Sequence, residues 1–184
     1  RRLQEAGARP FIVPAMGSHG GATAEGQIAL LARLGVTAKA CGTPLRAAME
    51  AVSVATVSGE VPVFLARDIL EADHAVCLNR IKPHTKFKGP LESGLAKMLC
   101  VGMGKHDGAL SYHGWALKHG FYETQRAMGQ VVMEKSNLRF AVGVVENAYD
   151  RLMAAEVVPA DRIFEREPAL LALAKEHLPG LPVR

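Results

Sequence analysis

Apolar residues in this chain follow two spacings. Continuous runs at 11–15, 74–78 and 138–145 have the length and the Val/Ile content of strands buried in a parallel sheet. Ile28, Leu30, Leu31 and Leu34 recur instead at helical spacing, with Thr23 available to cap that helix and Gly35 to end it. Stretches 107–118 and 122–135 read as two further helices. A terminal segment lined by Leu170, Leu171, Leu173 and Leu178 reads as an amphipathic helix that buries those leucines. Segments 52–57 and 61–65 flank Ser58-Gly59-Glu60 as a hairpin, followed by a short helix at 67–72. The pattern is weakest between 36 and 50. There Val36 and Thr37 are β-prone, Cys41-Gly42-Thr43-Pro44 is a turn, and 45–50 reads as a short helix. Strands alternating with helices, without repeat or long linker, predict one α/β domain over residues 1–184. The first residue is not Met and the chain opens as if inside a helix, which reads as a fragment or a processed chain.

Composition narrows the class. With 49% hydrophobic and 22% charged residues the chain suits a soluble globular domain and not a disordered one. A net charge of +4 is modest and aromatics are only 5%, too few for the stacking surface of a single-strand nucleic-acid binder, so no nucleic-acid partner is expected. No apolar run approaches the about 20 residues of a membrane span, and no membrane partner is expected. Three cysteines, odd in number and without a CxxC pair, argue against a disulfide framework and a closed zinc site, and fit a reducing cytoplasm.

The charge is local. Between Asn79 and His113 stand Arg80, Lys82, Lys86, Lys88, Lys97 and Lys105 with His84, His106 and His113, against only Glu92 and Asp107, among five glycines. Such a segment suits a small anion, and its imidazoles add proton transfer or metal binding. A second glycine-rich loop, carrying His19, follows the 11–15 run, just as the basic segment follows the 74–78 run. Ligands of open α/β sheets sit beyond the carboxyl ends of strands, so both loops would face one crevice.

Each residue has two readings. His19 is either a loop histidine bonded to its neighbours or a functional one. His84 is a base kept neutral by nearby cations, or part of a solvated basic loop. His106 and His113, seven apart, share a helix face, which also describes a partly buried polar stripe. Lys97 lies in the apolar run 94–99, where an amine is costly to bury unless paired, deprotonated or covalently modified; otherwise it snorkels from an amphipathic helix. His74, His177 and Cys100 read as structural. Glu146, Asn147, Tyr149 and Asp150 either support the crevice or form a turn. Arg80, if it points inward, is a bidentate carboxylate partner.

The ordered set Gly17-Ser18-His19-Gly20-Gly21 after a strand, Asn79 to His84, Glu92-Ser93-Gly94-Leu95-Ala96-Lys97 and a histidine sixteen residues on at His113 resembles the nickel-dependent lactate racemase family. The resemblance spans most of the chain and implies an open, largely parallel sheet flanked by helices, Rossmann-like. It implies a nickel-pincer nucleotide, with Lys97 as its covalent tether, His113 as a nickel ligand, and Arg80 and Gly94 beside the cofactor. His19 and His84 would be the acid/base pair facing opposite sides of a small anionic 2-hydroxy acid. The family's Ser-Gly-Gly-x-Lys pattern has Leu95 here at its second glycine, and the interval from His84 to Lys97 is a few residues longer. The family's upstream Asp-x-Thr-Arg-Pro segment and its second domain are not in this sequence. The resemblance therefore implies a fragment of a longer two-domain enzyme, inactive by itself, of unknown oligomeric state.

The implied chemistry has a physical rationale. Removing the α-hydrogen of a 2-hydroxy carboxylate as a proton sets a second negative charge beside the first. Removing it as hydride, while a histidine takes the hydroxyl proton, yields a neutral carbonyl instead. Two readings stay open beside it: a non-catalytic nucleotide- or phosphate-binding module, and a cofactor-independent histidine acid/base isomerase.

Overall fold

In the computed structural model, residues 2–177 are described, and Leu178 lies outside them. The chain runs through α1 (Arg2–Glu5), α2 (Ala24–Arg33), α3 (Ala38–Cys41), β1 (Ala51–Val57), β2 (Val61–Ala66), α4 (Arg67–Leu70) and β3 (Ala75–Arg80). It continues through α5 (Leu95–Lys97), a π turn at Met98–Gly102, α6 (Lys105–His119), α7 (Phe121–Lys135), β4 (Leu138–Glu146), β5 (Leu152–Pro159) and α8 (Ile163–Glu176). The α/β class is as the sequence indicates. None of the helices among the described residues is long and apolar enough to cross a membrane.

Two sheets organise the elements. The hairpin β1–β2 is antiparallel, and β3, β4 and β5 form a second sheet in that order. Cys77 stands opposite Ala141 in the parallel β3–β4 pair, and Val142 opposite Val157 in the antiparallel β4–β5 pair. The antiparallel strand was not foreseen. Met153, Ala154, Ala155 and Glu156 are helix formers by intrinsic preference, and only pairing against β4 makes them strand. The inner face of this sheet buries Cys77, Ala141, Val145 and Val158, under Leu95 of α5 and Leu170 of α8, whose side chains crowd the backbone at Gly143. The strand expected at 74–78 exists, but its alternate residues Val76 and Leu78 are exposed, so it is not buried on both faces.

Three local expectations are corrected. Residues 11–15 make one parallel bridge, Ile12 to Leu45, because Pro10 and Pro14 lack donors and limit the ladder to a single rung. That bridge holds Leu45, and 46–50 have no regular structure where a short helix is expected. Thr37 does not enter a strand; its hydroxyl accepts from the Ala40 amide at 3.1 Å and caps α3.

Helix α2 begins and ends as expected. The Thr23 hydroxyl accepts from the Gly26 amide at 3.0 Å. At the other end Gly35, at φ +77°, allows its own amide to reach Ala32 and that of Val36 to reach Leu31, a Schellman closure. Its buried side chain, however, is Gln27, while Ile28 and Leu34 face solvent. In α8, Leu170 and Leu171 are buried and Leu173 packs against the core, as expected.

Candidate functional site

Three separate parts of the sequence meet around the start of α6. The segment 14–17 is pinned there by Lys105, whose fully buried ammonium donates to the Pro14 carbonyl at 2.9 Å. Lys105 holds a φ of +56°, a strained conformation for a side-chain-bearing residue. Gly17 is at φ +56°, and a methyl group there would come within 3.0 Å of the Val101 side chain. Gln27 of α2 secures the same loop by donating to the Gly17 carbonyl at 3.0 Å. This scaffold delivers His19, whose exposed ring donates its Nδ1–H to the Met16 carbonyl at 2.6 Å. A carbonyl can only accept, so Nε2 of the neutral ring carries a free lone pair.

His113 is exposed on α6 and is fixed in the same tautomer, its Nδ1–H donating to the Ala109 carbonyl at 2.7 Å. Its Nε2 lone pair is therefore free as well. That is the arrangement a metal-ligating histidine adopts, with one nitrogen for the ion and the other tied to a carbonyl. A methyl group added at Gly17 would lie 3.5 Å from that of Ala109, so the His19 loop and the His113 turn are neighbours.

His84 joins from the loop after β3. Its ring stacks on Phe87 at 4.2 Å, Phe87 stacks on Phe121 at 4.3 Å, and Tyr112 connects Phe121 to His113 edge-on, so an aromatic wall links the two histidines. Burial first, then the Lys97 ammonium, His113 and Lys86, push the His84 pKa below its ordinary value, with Glu92 opposing them. The Lys86 amide donates to His84 Nδ1 at 3.1 Å. In the neutral ring the hydrogen thus sits on Nε2, and Nδ1 takes a proton only by releasing Lys86.

Lys97 ends α5, half-buried beside this wall, its Nζ 5.9 Å from the centre of the Phe87 ring. No carboxylate among the described residues pairs with it; burial and the charge of Lys82 lower its pKa. The turn that follows is π, a widening that is frequent at functional positions. Helix α5 is seated by Glu167 of α8, whose buried carboxylate accepts from the Ala96 amide at 2.7 Å. Gly94 is what permits that approach, since a methyl group there would overlap the carboxylate.

Of the expected site residues, His84, Lys97 and His113 therefore meet, and His19 borders them through Gly17 and Ala109. Gly94 faces Glu167. Arg80 is turned to other work: its guanidinium is engaged by Glu146 and, at 3.4 Å, by Asp150, in a cleft of about 230 Å³ lined also by Lys82, Pro83 and Asn147. Two carboxylates offset its charge, which argues against the carboxylate-binding part assigned to it. Asn147 and Asp150 form the turn into β5, where Asn147 Oδ1 accepts from the amides of Tyr149 and Arg151.

Glu92, Glu167 and Lys105 were missed as site supports. Glu92 left a signal, being the only acid between Arg80 and Lys105. Glu167 and Lys105 left none, because their partners lie 71 and 91 residues away. A cleft of about 430 Å³ between the β1–β2 hairpin and α6 contains none of the expected residues.

No family model matches the sequence, and no curated protein does. Among solved structures, the lactate racemase apoprotein from Thermoanaerobacterium thermosaccharolyticum superposes with a TM-score of 0.70 at 20% identity, over 91% of this chain and 42% of that one. The two share a fold, and the chain spans less than half the length of that protein. The shared fold is the one that the resemblance drawn from the sequence motifs implies.

Proposed function

We propose that this chain is the cofactor-bearing part of a racemase or epimerase acting on a small 2-hydroxy carboxylic acid. In this reading Lys97 anchors a nickel-pincer nucleotide, His113 ligates its nickel, and His84 and His19 move the hydroxyl proton. The observation that carries the reading is the meeting of His84, Lys97 and His113 along one aromatic wall.

The donor set fits such a group. The described residues hold no cluster of three or more His, Cys, Asp or Glu that could bind a metal ion by themselves. A single histidine with a free Nε2, beside an amine whose burial favours its uncharged, nucleophilic form, suits a metal brought in by an organic carrier. When bound, that group supplies an acceptor that takes the substrate α-hydrogen as hydride and returns it.

The chain's own residues do the rest. His19 accepts the hydroxyl proton at Nε2, its ring held for that by the Met16 carbonyl. His84 presents Nε2–H to a substrate oxygen, and becomes the second proton acceptor when Nδ1 leaves the Lys86 amide. Lys82, Lys86 and Lys88 supply the positive field for a carboxylate and a nucleotide phosphate, in place of Arg80. The three free cysteines fit a reducing cytoplasm.

The test is isotopic. The longer enzyme of which this chain is proposed to be the cofactor-bearing part, produced with the cofactor-making enzymes, is given a single enantiomer of an α-deuterated 2-hydroxy acid. Hydride transfer leaves deuterium in the opposite enantiomer. Racemisation with the label lost to solvent supports the cofactor-independent isomerase instead, and phosphate-competed nucleotide binding without turnover supports the binding module.

A further inference from the structure

We propose that Glu92 is the positioning residue of His84, a buried carboxylate that gathers both ends of the 84–89 loop and so presents the imidazole to the site. The inference rests on the reading of His84 given above. Glu92 is completely buried, yet its partners on one side all belong to that loop. Oε2 accepts from the His84 amide at 2.7 Å, and Oε1 from the Gly89 amide at 3.3 Å. On the other side Lys175 of α8 reaches Oε1 at 2.8 Å. Lys88 adds a cation at 3.9 Å and returns to the loop by donating to the His84 carbonyl at 3.0 Å.

Burial alone would raise the Glu92 pKa, but Lys175 and the two loop amides outweigh it and the net shift is downward, so the group remains a carboxylate near neutral pH. A fold that needed only a filled interior here would do as well with an apolar side chain. An ionised carboxylate that collects two amides from a single loop instead specifies where that loop sits. The His84 ring is then fixed at three points: its backbone by Glu92, its face by Phe87 and its Nδ1 by Lys86. Glutamine cannot replace this clamp, because one of its two terminal atoms is a donor and would oppose an amide.

The experiment compares the full chain with Glu92→Gln, by residue-resolved amide hydrogen exchange and by the ring ¹⁵N shifts of His84. We expect exchange at His84 and Gly89 to quicken at least about tenfold, as a lost hydrogen bond to a charged group implies, and the ring shifts to move from an Nε2–H pattern toward a tautomer average. Amides of α6 and β4 keep their protection. Unchanged exchange at His84 and Gly89, or unchanged ring shifts, overturns the proposal. Should Glu92→Gln fail to fold, Lys175→Met, which removes only the surface-side cation, decides on the same two readouts. Neither readout needs turnover. A clamp found here while the longer enzyme racemises nothing refutes the proposed activity and leaves the clamp standing; an active enzyme with unprotected amides does the reverse.

Discussion

Between α8 and α5, Glu167 has one oxygen bonded to the Ala96 amide and the other buried with no partner among the described residues. Burial pushes its pKa up to about 7, against the Ala96 and Leu95 amides. The folded protein thus holds a proton that an unfolded glutamate, near 4.5, releases. Stability from this group is present at acid pH, falls as the pH rises from about 4.5 to about 7, and is level above that. Urea unfolding across that window should show wild type losing on the order of 3 kcal/mol relative to Glu167→Gln. Parallel pH profiles for the two proteins would contradict it. Other single residues are readable from the sequence: a lysine in an apolar run is conspicuous, and Lys97 is half-buried with no carboxylate paired to it among the described residues. Arg80 is engaged by Glu146 and Asp150 of the β4–β5 turn, a closure over 66 and 70 residues that local sequence does not reveal.

At the scale of elements, α2 and the His19 loop form one unit. The Thr23 hydroxyl accepts from Gly26 and donates to the Gly20 carbonyl at 3.2 Å, so the helix cap is also a loop tie. Thr23→Ala should cost about 1 kcal/mol of stability and loosen the His19 loop, seen as faster amide exchange at residues 19–23. A stability loss without faster exchange there would mean that cap and loop are independent. The cap, the Schellman stop and the β1–β2 hairpin were legible because they are written in adjacent residues. The 11–15 strand and β5 were not, since each depends on a distant partner: two prolines restrict the first to one rung, and β4 imposes extension on the helix-forming residues of the second. Gln27 joins the half-buried Leu30 and Leu31 on the inner side of α2, in place of the exposed Ile28 and Leu34, because the carbonyls of an irregular glycine loop need a donor.

Across the whole molecule, the loop after residue 15, the loop after β3 and the start of α6 are drawn together by buried polar side chains. Lys105 holds the first, Glu92 the second, and Glu167 seats the short helix that carries Lys97 between them. Sequence order suggests which residues belong to the site; of the anchors that set its shape, Glu92 is visible as a lone acid in a basic segment, while Lys105 and Glu167 act over 91 and 71 residues and leave no local signal. The direct measurement is the mass of the Lys97 peptide from chain made together with the cofactor-producing enzymes. The expected result is a nucleotide-sized increase on that peptide, with trypsin unable to cut after Lys97 and no increase in Lys97→Ala. An unmodified, readily cleaved Lys97 in wild-type chain made the same way would contradict a covalent anchor there.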